Sequence, residues 1–166
     1  ESVEGEGTTF SIYLPRSEAG KVKASALQEI DYFPGNGERV LIVDDEQSLR
    51  TTAKIILEDA GFDALVARSA EEALQIITES HKTDRIDVIL TDVVMSGLSG
   101  PQLAIEAQRQ YPDLAVVFMS GYPARTRKEM EKMLGDYIFV KKPFRPAQLQ
   151  KAIHEALAHK TERQRL

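Results

Sequence analysis

The 166-residue sequence contains no cysteine. Disulfide bonds and thiolate metal sites are thereby excluded, which is compatible with a reducing compartment such as the cytoplasm. Long hydrophobic runs are also missing: the longest uninterrupted apolar stretch covers only residues 114–119, whereas a membrane-spanning helix needs about 20 apolar residues. The N-terminus has no basic segment followed by an apolar one, as a signal peptide would have. We therefore expect a cytoplasmic location and no contact with the membrane.

Positive charge is in short supply as well. Lys and Arg number 21 against 26 Asp and Glu, a formal net charge of −5. Nucleic-acid phosphates favour clustered Lys and Arg, so nucleic acid is not expected as a partner, and a short basic tail at residues 159–165 does not change this. The 42% apolar and 28% charged content is that of an ordinary globular protein of about one domain. Because the sequence begins with Glu1 rather than Met, we expect a piece of a longer protein.

The first 37 residues differ in pattern from the rest. A Gly-rich turn precedes an alternating segment at residues 9–14, which predicts one strand closed by Pro15. The mixed polar stretch that follows ends in the turn-rich residues 34–37 and predicts a linker. We divide the chain into four parts: an N-terminal strand region at 1–16, a linker at 17–37, a main domain at 38–160 and a tail at 161–166.

In the main domain, short apolar runs alternate with amphipathic segments, a pattern typical of βα units around a parallel sheet. The apolar runs predict five strands, at residues 40–43, 64–67, 86–91, 114–119 and 137–140. Apolar residues at helical spacing predict a helix after each strand. The fourth helix, at residues 123–134, has only a ragged apolar pattern, whereas Pro146 is a clear start for the last one. The expected fold class is α/β, with a doubly wound parallel sheet.

Polar side chains stand where the predicted strands end. The first strand is followed by Asp44 and Asp45, and the later ones end in Thr91-Asp92, Ser120-Gly121 and Lys141-Lys142-Pro143. Ligands of open α/β sheets bind at the carboxyl ends of the strands, so three carboxylates, a hydroxyl and an ammonium should meet at one rim. Carboxylates this close repel one another unless a cation lies among them, and Mg²⁺ accepts one or two carboxylates while keeping water or phosphate. The set predicts Mg²⁺-assisted formation of an aspartyl phosphate.

Each feature has an ordinary explanation when taken alone. Paired acids before a helix commonly cap it. An acid at a strand end and a Ser-Gly pair are common in turns, and a lysine is usually a solvated surface amine. The specific signal is their occurrence together at successive strand ends.

Four segments carry a resemblance to a known family: VLIVDDE (40–46), ILTDVVMSGLSG (89–100), VVFMSGY (116–122) and FVKKPF (139–144). In this order and spacing they closely resemble the receiver domains of two-component response regulators. The resemblance covers about residues 38–159. It implies a flavodoxin-like (βα)5 sandwich whose parallel five-stranded sheet has the order 2-1-3-4-5.

The resemblance implies Asp92 as the phosphoacceptor. It also implies four ligands for Mg²⁺: Asp44 and Asp45, directly or through water, Asp92 and the main-chain carbonyl of Val94. The domain would catalyse its own phosphorylation and slow dephosphorylation without being a turnover enzyme. The donor would be a phosphohistidine-bearing kinase or a histidine phosphotransfer protein, and a homodimer is left open.

By the same resemblance, Ser120 would hydrogen-bond the phosphoryl group and Lys142 would pair with it, leaving Lys141 as a bystander. Ser120 and Phe139 would form a switch in which the aromatic ring turns inward as the hydroxyl moves toward the phosphate. An ordinary core aromatic is the alternative for Phe139.

The sequence departs from the family at one loop position. Receiver domains usually have Pro four residues after the phosphoacceptor, and here Ser96 stands there, followed by Gly97. The loss of a fixed φ predicts a less rigid loop. Val94 and Tyr122 lie at positions that the family uses to tune dephosphorylation, and because both are bulky we expect them to restrict attacking water.

The N-terminal segment GEGTTFSIYLP (residues 5–15) resembles the last Gly-rich turn and strand of the ATP-binding domain of sensor histidine kinases. The implied parent is a hybrid sensor histidine kinase with this chain as its C-terminal receiver. Residues 1–16 would be a remnant of the ATP-binding domain. The chain itself is not expected to bind ATP or to autophosphorylate.

Two other functions compete with a phosphoacceptor receiver. A phosphatase of the haloacid dehalogenase type also forms an aspartyl phosphate with Mg²⁺, but it needs a second acid where Val94 stands. A degenerate receiver used only for docking would have lost its acceptor or its acid pair.

A zinc site at His154-Glu155 and His159 is not expected, because the spacing is one residue too long for a helical zinc pair; both histidines are predicted to lie on the surface.

Overall fold

The computed structural model describes residues 2–3, 5, 7–13, 32–80, 85–121 and 137–163. The chain divides into two compact units, Glu1–Ile30 and Asp31–Leu166. None of the helices in the described part is long and apolar enough to cross a bilayer.

The first unit contains a short antiparallel hairpin in which Ser2–Val3 pairs with Gly7–Thr8. The strand predicted at residues 9–14 is wrong over its described part, because residues 9–13 are exposed and irregular. An alternating pattern forms a strand only where a neighbour can bond its main-chain groups. The pairing lies earlier in the chain, and Leu14 and Pro15 fall outside the described residues.

The second unit is built on a parallel sheet. Its strands are β1 (Arg39–Val43), β2 (Asp63–Ala67), β3 (Val88–Asp92), β4 (Ala115–Ser120) and β5 (Ile138–Lys141). The order is β2-β1-β3-β4-β5, and every neighbouring pair is parallel. The predicted fold class and strand order are confirmed, with strand bounds shifted by one or two residues.

The helices of the described part are α1 (Gln47–Asp59), α2 (Ala70–Ser80), α3 (Gly100–Gln110) and a C-terminal helix (Pro146–Arg163). The C-terminal helix continues to Arg163, so the segment predicted as a tail at 161–166 begins as helix. The helix predicted at 123–134 lies outside the described residues.

The ends of the helices follow local sequence signals. Gly61 has a φ of +92° directly after α1, the left-handed conformation in which glycine ends helices. Ser99 caps α3 in a reciprocal capping box with Gln102. Before α2, Ser69 Oγ accepts a hydrogen bond from the Glu72 amide, while the Glu72 carboxylate accepts from the amide of Arg68.

Apolar side chains fill both faces of the sheet, as expected of a parallel sheet covered by helices. Val40 and Ile42 of β1 join the cluster under α1 and the C-terminal helix, whereas Leu41 and Val43 join the cluster under α2 and α3. All four are fully buried. This packing holds the carboxyl ends of the strands at one edge of the sheet.

Residues 33–37, which the sequence places in a linker, belong to the second unit and pack against α1 and the C-terminal helix; we call them the strap. The amide of Gly35 donates to the carbonyl of Ala60 at 2.7 Å, and that of Gly37 donates to Gly61 at 3.0 Å.

His154 holds the middle of the strap. Its Nε2 lies 2.7 Å from the carbonyl oxygen of Pro34, and its ring centroid lies 5.8 Å from those of Phe33 and Phe62. The prediction of a surface histidine is therefore wrong for His154, which is half-buried, and right for His159, which is exposed.

Candidate functional site

The carboxyl edge of the sheet gathers the polar residues that follow its strands. Asp44 comes directly after β1, Asp92 and Ser120 are the last residues of β3 and β4, and Lys142 follows β5. Ser120 is in register with Lys141 across the β4–β5 pair, and Asp92 with Met119 across β3–β4. Parallel register therefore sets these side chains along one rim.

The Lys142 ammonium lies between two carboxylates. Its Nζ is 2.6 Å from Asp44 Oδ2 and 2.8 Å from Asp92 Oδ2. The side chain of Asp44 is 1% exposed, compared with 19% for Asp92 and 13% for Lys142. The structure thus joins an acid of the first strand, an acid of the third and a lysine of the fifth, and it leaves Asp92 open to solvent.

The charge of Lys142 is stabilised by this arrangement. Burial by itself lowers the pKa of the Lys142 ammonium, but the hydrogen bonds that it donates to Asp44 and Asp92 and the attraction of their charges outweigh this effect, so the pKa lies above its ordinary value. At neutral pH the site therefore contains a fixed positive charge. Lys141, the predicted bystander, is exposed.

The turn that bears the two adjacent acids is held by its neighbours. Asp44 Oδ1 accepts a hydrogen bond from the amide of Glu46 at 2.9 Å, and the Asp44 carbonyl accepts one from Arg50 Nη1 at 2.6 Å. Asp45 is exposed and lies outside the Lys142 bridge. Its Oδ2 accepts instead from the Ser96 amide, 3.2 Å away in the loop that follows Asp92.

The main chain around Asp92 is fixed by close approaches. The amide of Val93 donates to the carbonyl of Met119 at 3.1 Å, and the amide of Val94 donates to Asp92 Oδ1 at 3.4 Å. A Cβ atom at Gly100 would lie 2.0 Å from the Asp92 carbonyl oxygen. Only glycine therefore lets the start of α3 come this close to the end of β3.

The predicted switch pair lies beside these groups. Ser120 is 1% exposed, and its carbonyl accepts a hydrogen bond from the Lys142 amide at 2.8 Å. Phe139 is half-buried, and its ring centroid lies 5.4 Å from that of Phe118. Tyr122 lies outside the described residues, whereas Val94 is 52% exposed next to Asp92.

The acids do not form a closed metal cage. Within the described residues, no three His, Cys, Asp or Glu side chains are grouped closely enough to hold an ion. Mg²⁺ does not need such a cage, because one or two carboxylates suffice and water or phosphate completes the octahedron. Asp92 is open to solvent. The Asp45 carboxylate accepts a hydrogen bond from the loop that follows Asp92. The donors therefore fit a hydrated magnesium ion at this edge.

Three supporting groups escape prediction from the sequence: Arg50, the amide of Ser96 and Gly100. Arg50 donates through its side chain to a main-chain carbonyl, Ser96 donates through its amide, and Gly100 leaves space for the Asp92 carbonyl. Contacts that involve main-chain atoms leave no residue-type signal. Only Gly100 offered a clue, since it follows a capping serine and precedes Pro101.

The fold is a parallel α/β sandwich with a rim of acids and a lysine at one edge of its sheet, and comparison with known proteins identifies the family. Residues 40–154 match the family model of the response regulator receiver domain. The chain belongs to this family.

Curated relatives agree with this assignment. The chain is 31% identical to sensor kinase CckA of Brucella abortus over 165 residues, which is 95% of this chain and 17% of the relative. It is 34% identical to the transcriptional regulatory protein YvrH of Bacillus subtilis, over 66% of this chain and 45% of the relative. The chain therefore spans less than half the length of either.

Solved structures show the same fold. A response regulator receiver domain protein from Clostridium thermocellum has 31% identity and a TM-score of 0.65, and the match covers 75% of this chain and 97% of that one. The chemotaxis protein CheY4 of Vibrio cholerae has 28% identity and a TM-score of 0.63, over 73% and 99% of the two chains.

Proposed function

We propose that this receiver domain accepts a phosphoryl group on Asp92 from a phosphohistidine and signals through the surface around Ser120 and Phe139. The bridge of Lys142 between Asp44 and Asp92 carries this proposal. It brings a solvent-accessible carboxylate, a buried acid and a fixed cation within hydrogen-bonding distance at one edge of the sheet.

Phosphoryl transfer to Asp92 requires a nucleophile and a means of neutralising charge. A carboxylate oxygen of Asp92 would form the new O–P bond as the P–N bond to the donor imidazole breaks, and the released imidazole takes up a proton. Lys142 would pair with the phosphoryl oxygens, and the Ser120 hydroxyl would hydrogen-bond them. Exposed Val94 would stand beside the acyl phosphate and restrict attacking water.

Asp92 and the Val94 carbonyl would hold Mg²⁺, with Asp44 and Asp45 as further ligands directly or through water. Three carboxylates against one ammonium leave an excess of negative charge that would otherwise repel a phosphoryl donor. A bound magnesium ion supplies the neutralising charge for the transferred oxygens.

The parent protein would be a hybrid sensor histidine kinase. The similarity to sensor kinase CckA runs over 95% of this chain, and so includes residues that precede the receiver. A phosphohistidine of a kinase or of a histidine phosphotransfer protein would donate the phosphoryl group. A kinase donor forms its phosphohistidine from ATP, which is cytoplasmic, and this favours a cytoplasmic location. A homodimer is compatible with this role.

Incubation with a small acyl phosphate and MgCl₂, followed by intact-mass analysis, tests the proposal. We expect a mass increase of one phosphoryl group that requires Mg²⁺ and is absent in Asp92→Asn. The amide keeps an oxygen for Lys142 but is not a nucleophile, which makes this variant a matched control.

A phosphorylated histidine phosphotransfer protein used in place of the acyl phosphate tests the donor. Wild-type protein that stays unmodified by both donors would contradict the proposed function. Modification of the Asp92→Asn variant to the wild-type extent would contradict the assignment of the acceptor.

A further inference from the structure

The carboxylate of Asp45 is held differently from the two acids that contact Lys142. Its Oδ2 accepts a hydrogen bond from the main-chain amide of Ser96 at 3.2 Å, across 51 positions of the sequence. Both residues are exposed. The contact joins the turn after β1 to the loop after β3, the two segments that carry the acids of the site.

The loop fixes the position of the Ser96 amide from both sides. Met95, directly before it, is only 8% exposed and packs in the core under α2 and α3. Gly97, directly after it, has a φ of +81° and lies beside the Glu71 carboxylate. The amide therefore has a preset position, and the Asp45 side chain is the partner that adapts to it.

We propose that Ser96 is a positioning residue, whose main-chain N–H holds the Asp45 carboxylate beside Asp92 in the orientation that receives a divalent cation. This inference rests on the proposed function, since it concerns the same acidic site. The hydrogen bond restricts the Asp45 rotamer before the ion binds. Binding of the ion therefore costs less side-chain entropy than it would at an unrestrained, exposed aspartate. The serine hydroxyl has no part in it.

The role needs an N–H at position 96 and therefore excludes proline. Proline has no main-chain donor. Replacement by alanine keeps the donor and removes only the hydroxyl, so Ser96→Ala is the matched control for Ser96→Pro.

Isothermal titration calorimetry of the full chain with MgCl₂ alone tests the inference in the wild type, Ser96→Pro and Ser96→Ala. We expect Ser96→Pro to bind Mg²⁺ about fivefold more weakly, the effect of losing one partly solvated hydrogen bond to a charged group, and Ser96→Ala to bind as the wild type does. Ser96→Pro with wild-type affinity, or Ser96→Ala with an equal loss, overturns the inference. Wild-type protein that binds no Mg²⁺ counts against the proposed function instead.

Thermal unfolding without Mg²⁺ shows whether Ser96→Pro still folds. If it does not, the hydrogen-exchange rate of the Ser96 amide is measured by NMR in the wild type and in Asp45→Ala. We expect the Ser96 amide to exchange about fivefold faster when its acceptor is removed. Equal exchange rates in the two proteins overturn the inference.

Discussion

Among single residues, Lys142 connects the acids of the site. Its ammonium contacts a fully buried acid and a partly exposed one, so it contributes both to stability and to the charge of the site. Sequence patterns placed Lys142 near these acids because strand ends of a parallel sheet share an edge. They did not show that one lysine bonds two acids directly.

Replacing Lys142 by methionine should lower the free energy of unfolding by about 3 kcal/mol, because the buried Asp44 carboxylate would lose its counter-charge. Urea denaturation measures this change. In the Asp92→Asn background the same replacement should cost less, since one of the two repelling acids is gone. Equal costs in the two backgrounds would show that the acids and the lysine do not act as one group.

The contribution of Lys142 should also have a defined pH dependence. Its pKa is raised in the folded state above the ordinary value of 10.5. Its stabilising effect is therefore complete below that value and is lost as the pH rises through the higher folded pKa. The stability difference between wild type and Lys142→Met should stay constant from about pH 7 to pH 10, and a steady decline within that range would contradict the ion-pair account.

At the scale of secondary-structure elements, the start of α3 is pressed against the end of β3. We expect Gly100→Ala to lower the free energy of unfolding by about 2–3 kcal/mol, because the added methyl group would meet the Asp92 carbonyl. Because this methyl group would displace the main chain of Asp92, the substitution should also slow phosphoryl transfer to Asp92. Chemical denaturation and the rate of phosphorylation measure the two effects.

Gly121→Ala is the control for this change, since no atom of the described residues lies within 4 Å of the added Cβ. Its unfolding free energy should stay within about 0.5 kcal/mol of the wild type. A Gly100→Ala variant as stable as Gly121→Ala would mean that α3 does not constrain the acceptor.

The strap is a second element whose removal should be measurable. Deleting residues 1–37 should cost about 2 kcal/mol more than deleting residues 1–31, because it removes two main-chain hydrogen bonds and uncovers the Phe62 ring, against which Gly35 packs. Thermal and urea unfolding of both truncated proteins measure the difference. Equal stabilities would show that the strap rests on the domain without supporting it.

At the scale of the whole molecule, the spacing of apolar residues along the sequence predicted the α/β fold of the second unit. Apolar runs located each strand, and Pro146 marked the start of the last helix. The core follows from the same pattern, since parallel strands buried on both faces are nearly continuous in apolar residues.

The features that sequence reasoning missed depend on long-range partners. The alternation at residues 9–14 resembles a strand but is irregular over residues 9–13. His154 was interpreted from its own neighbours in the sequence, whereas its contacts are with Phe33, Pro34 and Phe62. The proline-free loop was expected to lose rigidity. That expectation stays a prediction, although the Ser96 amide supplies a tether that proline could not.

The central claim is that Asp92 is the residue that becomes phosphorylated. Trypsin should release residues 86–109 as one peptide, which contains both Asp87 and Asp92. After treatment with an acyl phosphate and MgCl₂, borohydride reduction of the acyl phosphate and tandem mass spectrometry locate the modified residue. We predict modification at Asp92 alone. Modification at Asp87, or at any residue outside this peptide with Asp92 intact, would contradict the account.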